Sequence, residues 1–479
     1  MNMGEPGTFD ADGSCATVDV VVVGGGSVGM LAAAELTLQG LKVVLFEPRT
    51  DIDRRPRAGT VHARSLSHLA RRGYIRSVAP REIAERAGQR HHAAFQFAGT
   101  AGLTLAAPAE EPAPLAGIPQ AQLEETFEQR ARAQGADIRR GTTVEAVTVD
   151  DDRGEVLVRF AATGLDAVSE SGTVRARYCV GADGARSLVA RSGNFPSVEV
   201  PATMNAISAL ARCVDGSVPA GWNPTDTGWT MHNPGFGGQG RVIGLDFSGP
   251  VSDRSAPGET EYAELMEHVL GSPSDLSQIT HLTRFSDFAR YRSQMRDGRL
   301  LVVGDAAHIH YPLGGQGLNT GMQDVFTLGW RLAAVIHGKE PERCLDDWSR
   351  TRVRTASVVV ANTVLQSRMM HPDATALRAA VQSLLTVPGI HDGIADLISG
   401  QFQPGFVTDL GIESRKGSEL SLAQLLVPGS AVELRVSEDA PRVGVHDLKR
   451  VSVTGTIRPT PPWRSAYITP DGYLSESMT

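Results

Sequence analysis

Three glycine-rich clusters, each with an acidic residue in or shortly after it, stand where they could do chemistry. Gly24-Gly25-Gly26-Ser27-Val28-Gly29 contains a G-x-G-x-x-G. Glycines at that spacing allow a tight turn, close approach of backbone to a pyrophosphate, and close helix–strand packing. A helix opening there presents free N–H groups to the phosphates. Glu47, followed by Pro48, lies 18 residues beyond Gly29. A carboxylate at that distance accepts ribose hydroxyls and disfavours a 2′-phosphate, so FAD or NAD suits the site better than NADP. The second cluster is Gly181-Ala182-Asp183-Gly184. The third is Gly304-Asp305-Ala306-Ala307-His308, continuing into Pro312-Leu313-Gly314-Gly315-Gln316-Gly317-Leu318-Asn319. A carboxylate at a strand end can bind a polyol hydroxyl, and the helix that follows can aim its N-terminus at developing negative charge.

These residues need a particular scaffold. Residues 18–23 read as a strand, Ser27–Gln39 as a helix and Lys42–Phe46 as a second strand ending at Glu47. That is a β-α-β unit around the first cluster. Further strands are expected at 174–184 and Leu300–Val303, each running into its cluster. Helices are expected at Arg64–Arg72, Gln120–Ala133, Gly317–His337, Leu345–Met370 and Ala374–Leu385. Between about 195 and 290, short alternating runs (Asn205–Arg212, Gly228–His232, Arg241–Phe247) interrupted by Pro and Gly suggest an antiparallel sheet with loops. The last stretch, 405–479, has weaker signals and reads as a small appended domain or a loosely packed tail.

Composition narrows the function classes. The chain has 479 residues and a net charge of −8, which argues against nucleic acid or an anionic membrane as partner. Its four cysteines include no C-x-x-C, so neither a disulfide framework nor a cysteine zinc site is expected. The leader, 1–17, lacks a basic n-region and does not read as a signal peptide. No apolar run is long enough to span a bilayer. A cytoplasmic enzyme, monomer or homodimer, is the resulting expectation. His308-Ile309-His310 invites a metal, but an extended H-x-H turns its rings to opposite faces and no acidic or Cys partner lies nearby; a structural or cofactor-adjacent pair is expected, with no metal.

Taken in order, the three clusters resemble the group A, p-hydroxybenzoate hydroxylase-like flavoprotein monooxygenases. Arg55-Pro56-Arg57-Ala58-Gly59 resembles that family's R-x-R-A-G segment. His62-Ala63-Arg64-Ser65 is similar to the bacterial polyketide hydroxylase version, and Gly117-Ile118-Pro119-Gln120 to a strand-to-helix entry whose Gln touches the flavin. The resemblance covers about 18–370. It implies that Gly24, Gly26, Ser27, Val28 and Gly29 cradle the FAD pyrophosphate, and that Glu47 and Pro48 flank the adenosine ribose. Arg57, Arg64, Gln120 and Asp183 then lie near the pyrophosphate and ribityl chain, and Asp305 holds the ribityl chain. Gly315, Gly317, Leu318 and Asn319 border the isoalloxazine, with Pro312 and Gly315 in the reacting-face loop. NADPH or NADH would be a transient co-substrate and dioxygen the oxidant. The flavin carries the chemistry through a C4a-hydroperoxide, so no protein nucleophile or acid–base residue is required.

The resemblance further implies an α/β fold: a Rossmann-type FAD domain (18–90, 115–192, 294–345) interleaved with a mixed or antiparallel β-sheet substrate domain (91–114, 193–293). A helical segment, 346–404, follows. Ala466–Tyr473 resembles the late strand of a thioredoxin-like domain, which makes 405–479 a short, degenerate version of it. Trp229, Met231 and Phe236 are candidates to line an aromatic pocket, with packing inside the sheet an equal reading. The expected activity is hydroxylation of a bulky aromatic or polyketide-type molecule. Baeyer–Villiger oxidation, epoxidation, antibiotic inactivation, and a reductase or dehydrogenase without oxygen transfer remain alternatives, because fold analogy does not separate them.

Overall fold

The structure is a computed structural model. It describes residues 17–478 except Pro56, Ala58, 163–170, 214–215, 235–238, Arg254, 415–417 and 442–449. Residues 1–16 of the leader, Cys15 among them, and Phe236 therefore lie outside the described residues; Thr17, counted with the leader, opens the first strand.

The β-branched run Thr17–Val23 forms the centre of a sheet. It pairs in parallel with Val43–Glu47 on one side and with Ser171–Gly181 on the other. Leu300–Val302 continues the parallel order beyond Ser171–Gly181, and Asp137–Arg140 beyond Val43–Glu47. Val20, Val21 and Val22 are fully buried, as an inner parallel strand requires. The register places Val23 beside Phe46 and Gly181, and Gly181 beside Val302. All three glycine clusters and Glu47 consequently emerge at one carboxyl edge, where open parallel sheets bind ligands. The hairpin Thr142–Asp150 with Glu155–Ala162 extends the same sheet through antiparallel pairing.

A second sheet is antiparallel, in the order Gly221–Pro224, Gly228–Asn233, Gln239–Asp246, Asn205–Cys213, Leu276–Ser286. Its alternation serves two cores. Ile207, Ala209, Ala211 and Val242 pack on the helix Glu259–Leu270. Ala206, Trp229 and Leu245 face the hairpin Arg90–Phe97/Thr100–Pro108 and the residues Met369 and Met370. The helix Glu259–Leu270 corrects the expectation of sheet and loops alone across 195–290. Gly258 precedes it, Glu259 and Glu261 sit in its first turn, and Gly271 closes it in the left-handed region. Its apolar residues Tyr262, Leu265, Met266 and Val269 repeat at helical spacing.

The helices Gln316–Ile336, Arg343–Met370 and Thr375–Leu385 lie where expected, and Pro388–Ser399 adds one more, with proline in its first turn. No described helix is long and apolar enough to cross a membrane. The described residues beyond 405 are not a loose tail. They form a six-stranded sheet with its own core, including Ile412, Leu422, Leu426, Val432, Leu434 and Ile468.

Candidate cofactor groove and active site

A groove of about 660 Å³ opens along the carboxyl edge of the parallel strands. Gly24, Gly26, Ser27, Val28, Glu47, Pro48 and Arg57 line one part of it; Gln120, Asp183, Asp305, Pro312, Gly315, Gly317 and Leu318 line another. The sequence thus named half of its wall. Three expected residues are elsewhere, each for a physical reason.

Gly29 lies behind the wall. A Cβ there would collide with the carbonyl oxygen of Gly24, so this glycine permits the helix to seat on the turn and does not face a ligand. Asn319 is buried and spends its amide on backbone. Its Oδ1 accepts the His62 N–H at 2.9 Å, and its Nδ2 donates to Thr60 O (2.9 Å) and Gly315 O (2.8 Å). It therefore clamps the strand Thr60–His62 to the helix that opens at Gln316. Arg64 points away altogether. Its guanidinium stacks 3.4 Å from the Phe406 ring centroid and its Nε donates to Gly400 O. Burial holds its pKa down at about 10.

Two helices begin at the groove, Ser27–Leu38 and Gln316–Ile336. Neither has a side-chain cap or an acidic residue in its first turn. Their terminal N–H groups are left for a ligand, and their dipoles favour negative charge. Gly26 has open space where a side chain would be, so the groove comes up to its backbone. Asp183 caps the short helix Leu188–Ser192 through Oδ2, which accepts from Leu188 N (2.6 Å) and Val189 N (3.3 Å). Its Oδ1 is buried without a partner. Asp305 stands exposed within the groove. Glu47 is nearly inaccessible; Oε2 accepts the Gly25 N–H at 2.6 Å, and Oε1 accepts Arg49 N (3.0 Å) and Nε (2.7 Å).

Sequence reasoning missed several wall residues. Arg49, Asp53 and Arg55 also line the groove. Asp53 gathers Arg49, Arg55 and Arg57 at 3.4, 2.6 and 2.9 Å, and Arg55 foremost holds its carboxyl well below the usual range. Arg55 stood in the quoted R-x-R segment, but nothing in that segment identified Asp53 as the hub. The two histidines of His308-Ile309-His310 separate as their alternation requires. His308 is buried and bonds Asp324 Oδ2 at 2.7 Å. His310 lines the groove, with Nδ1 on Tyr311 O at 3.0 Å and Nε2 unpartnered. Burial pulls its pKa down to about 4, so the ring is neutral near pH 7.

Trp229 does not line the groove. It is buried, its Nε1 donates to Met370 O at 2.6 Å, and a Cβ on Gly99 would press on its ring. Met231 packs half-buried against the same apolar cluster. The loop 311–315 joins the groove to that cluster: Pro312 and Gly315 line the groove, while Tyr311 and Leu313 are buried among the apolar residues of the second sheet.

A glycine turn under a helix N-terminus, an acidic second-strand end, a second uncapped helix and acidic groups along the wall are the parts of a flavin-dinucleotide-binding protein. Comparison with known proteins agrees. Residues 17–363 match the family model described as an FAD binding domain. Rifampicin monooxygenase of Streptomyces venezuelae is 31% identical over 391 residues, covering 80% of this chain and 78% of that one. The structure of OxyS, an anhydrotetracycline hydroxylase from Streptomyces rimosus, superposes with a TM-score of 0.82 at 27% identity, covering 97% of this chain and 96% of that chain. That of the Diels-Alderase PyrE3, from the biosynthetic pathway of pyrroindomycins, gives 0.81 at 27% identity and 96% of both chains. The chain belongs to this FAD-binding family, the p-hydroxybenzoate hydroxylase-like flavoprotein monooxygenases.

Proposed function

We propose that this monooxygenase hydroxylates a bulky, electron-rich aromatic molecule of polyketide type, using NADPH or NADH as electron source. What supports the substrate class is the likeness to proteins named for rifampicin and anhydrotetracycline. On this chain the loop 311–315 is where the cofactor groove meets the second sheet: Pro312 and Gly315 line the groove, while Tyr311 and Leu313 pack into the apolar core.

FAD, when bound, supplies the oxygen-activating chemistry. The residues present fit it: the open backbone of Gly26 and the N-terminus at Ser27 suit a pyrophosphate, Glu47 suits the ribose, and Asp305 suits the ribityl chain. The uncapped N-terminus at Gln316 offers fixed donors to negative charge on the isoalloxazine without reorganisation. Neutral His310 adds an acceptor beside Gly317. Within the chain, 18–90, 115–192 and 294–345 act as the FAD-binding unit and 91–114 with 193–293 as the substrate unit. Residues 405–479 are read as a shortened thioredoxin-like domain without redox cysteines. A cytoplasmic location and a monomeric or homodimeric state complete the reading.

The test is oxygen transfer. The purified FAD-loaded enzyme is given NADPH or NADH, ¹⁸O-labelled dioxygen and a panel containing rifampicin and anhydrotetracycline. Substrate-stimulated NAD(P)H oxidation with one labelled oxygen in the product is expected. The PyrE3 likeness supports a second reading, ring closure without net oxidation. Product formation with no NAD(P)H consumption and no label would favour it and reject the first.

A further inference from the structure

We propose that a second cavity binds a small anion carrying a flat apolar body. The cavity, about 420 Å³, lies between the C-terminal half of the helix Gln316–Ile336, the helix Arg343–Met370 and the segment 402–404. It shares no wall residue with the cofactor groove.

The charge balance of its wall favours an anion. Arg331 and Asp471 neutralise each other at 2.9 Å. Asp347 is paired with Arg350, outside the wall. Arg352 is paired with Asp324, also outside the wall, and the Arg354 charge remains uncompensated. Arg352 is only 1% exposed; its Nε donates to Asp324 Oδ1 at 2.6 Å and its Nη2 to Thr320 O at 3.2 Å, while Nη1 has no partner. A buried N–H left without an acceptor is costly and rare in a finished site. Arg354 is exposed, and among the described residues its guanidinium has no carboxylate or carbonyl partner. The Arg354 fork and the one open N–H of Arg352 suit the oxygens of a carboxylate or a phosphate. Trp348, Phe402 and Tyr473 supply ring surface in the same wall, which accounts for the flat body.

The cavity also backs onto the cofactor site. The Asp324 carboxylate that holds Arg352 accepts from Gly304 N at 3.1 Å and bonds His308 Nε2 at 2.7 Å through its other oxygen. Those two residues flank the loop that carries Asp305.

Aromatic carboxylates and nucleoside phosphates share the required chemistry, so both are used as probes. The FAD-loaded enzyme, with its groove filled, is titrated calorimetrically with benzoate and with adenosine monophosphate. Saturable one-to-one binding of at least one probe is expected, and the probe that binds identifies the source. Arg354→Glu should weaken it at least ~10-fold, by charge reversal at one fork. Thr351→Trp, which fills the mouth from the exposed side, should abolish it. Both variants should keep wild-type FAD content and thermal midpoint, so a failure here is separable from a failure of the flavin reading. No saturable binding by either probe overturns the proposal. So does binding that Arg354→Glu leaves unchanged.

Discussion

Glu47 Oε2 accepts the backbone N–H of Gly25 at 2.6 Å, so the acidic residue closes the glycine turn as well as facing the groove. Glu47 is read as a ligand residue from sequence; the structure adds that it also shapes the turn. Glu47→Ala removes the charge-assisted bond to Gly25 and leaves Arg49 Nε without its carboxylate. Such bonds contribute about 1.5–3 kcal/mol, so FAD affinity should fall roughly 10- to 150-fold. Flavin fluorescence titration of the apoprotein measures it. Unchanged affinity would show that the turn holds without Glu47.

The last two glycines of the G-x-G-x-x-G motif, Gly26 and Gly29, should fail differently. Alanine at Gly29 would drive its Cβ into the Gly24 carbonyl, between two packed backbones that cannot give way. Gly29→Ala should therefore yield little folded protein. Alanine at Gly26 meets nothing within 4 Å and projects into the open groove. Gly26→Ala should fold, with a near-UV spectrum like the wild type, and lose most bound FAD. Expression yield, circular dichroism and flavin content read the two apart; equal loss of fold in both would contradict the assignment.

The carboxyl-edge groove was legible because each of its parts is written locally. A β-branched run, a glycine turn and a small-residue helix are adjacent in sequence at 18–39, and alignment of parallel strands then brings distant clusters to one edge. What stayed hidden depends on partners far along the chain. Arg64 follows Arg57 by seven residues, yet its direction is set by Phe406. Asn319 sits in a glycine loop, but Thr60 and His62 claim its amide. The helix Glu259–Leu270 was legible from its cap residues and spacing, but surrounding Pro and Gly masked it. The C-terminal sheet pairs Ala431–Arg435 with Arg450–Arg458 and with Ser465–Ile468, a register no local pattern announces.

The C-terminal segment is tied to the FAD-binding unit by Arg72, whose buried ion pair with Glu35 lies within that unit and whose Nη1 reaches across to two backbone carbonyls. Arg72 Nε lies 2.8 Å from Glu35 Oε2, and Arg72 Nη1 donates to Leu426 O (3.1 Å) and Pro470 O (2.9 Å). Arg72→Met leaves Glu35 charged, buried and alone, a change that costs about 3–5 kcal/mol. Limited proteolysis should then cut within 405–478 well before wild type. Adding Glu35→Gln to Arg72→Met removes the stranded charge and should recover part of the thermal midpoint. No recovery would mean that the backbone carbonyls, not the ion pair, carry the docking.

Asp409 makes the stability of the same junction depend on pH. Its carboxyl is buried close to Glu111; burial first, then repulsion from Glu111, pushes it up from 3.8 to about 7. Oδ1 accepts from Leu410 N (3.0 Å) and Ala423 N (2.8 Å), which fixes the side chain in place. Between these two values the folded protein binds a proton that the unfolded chain releases. The neutral form's contribution is therefore fully present below about pH 4 and is lost as pH rises through about 7. The full shift corresponds to about 4 kcal/mol. Asp409→Asn keeps an acceptor for both N–H groups and cannot ionise. The variant's thermal midpoint should differ little from wild type near pH 4, gain on it steadily as pH rises toward 7, and stay ahead by a constant several degrees above that. Thermal unfolding of the FAD-loaded enzyme from about pH 4 to 9 measures the difference. A gap between the two proteins that does not change with pH would place the ionisation elsewhere.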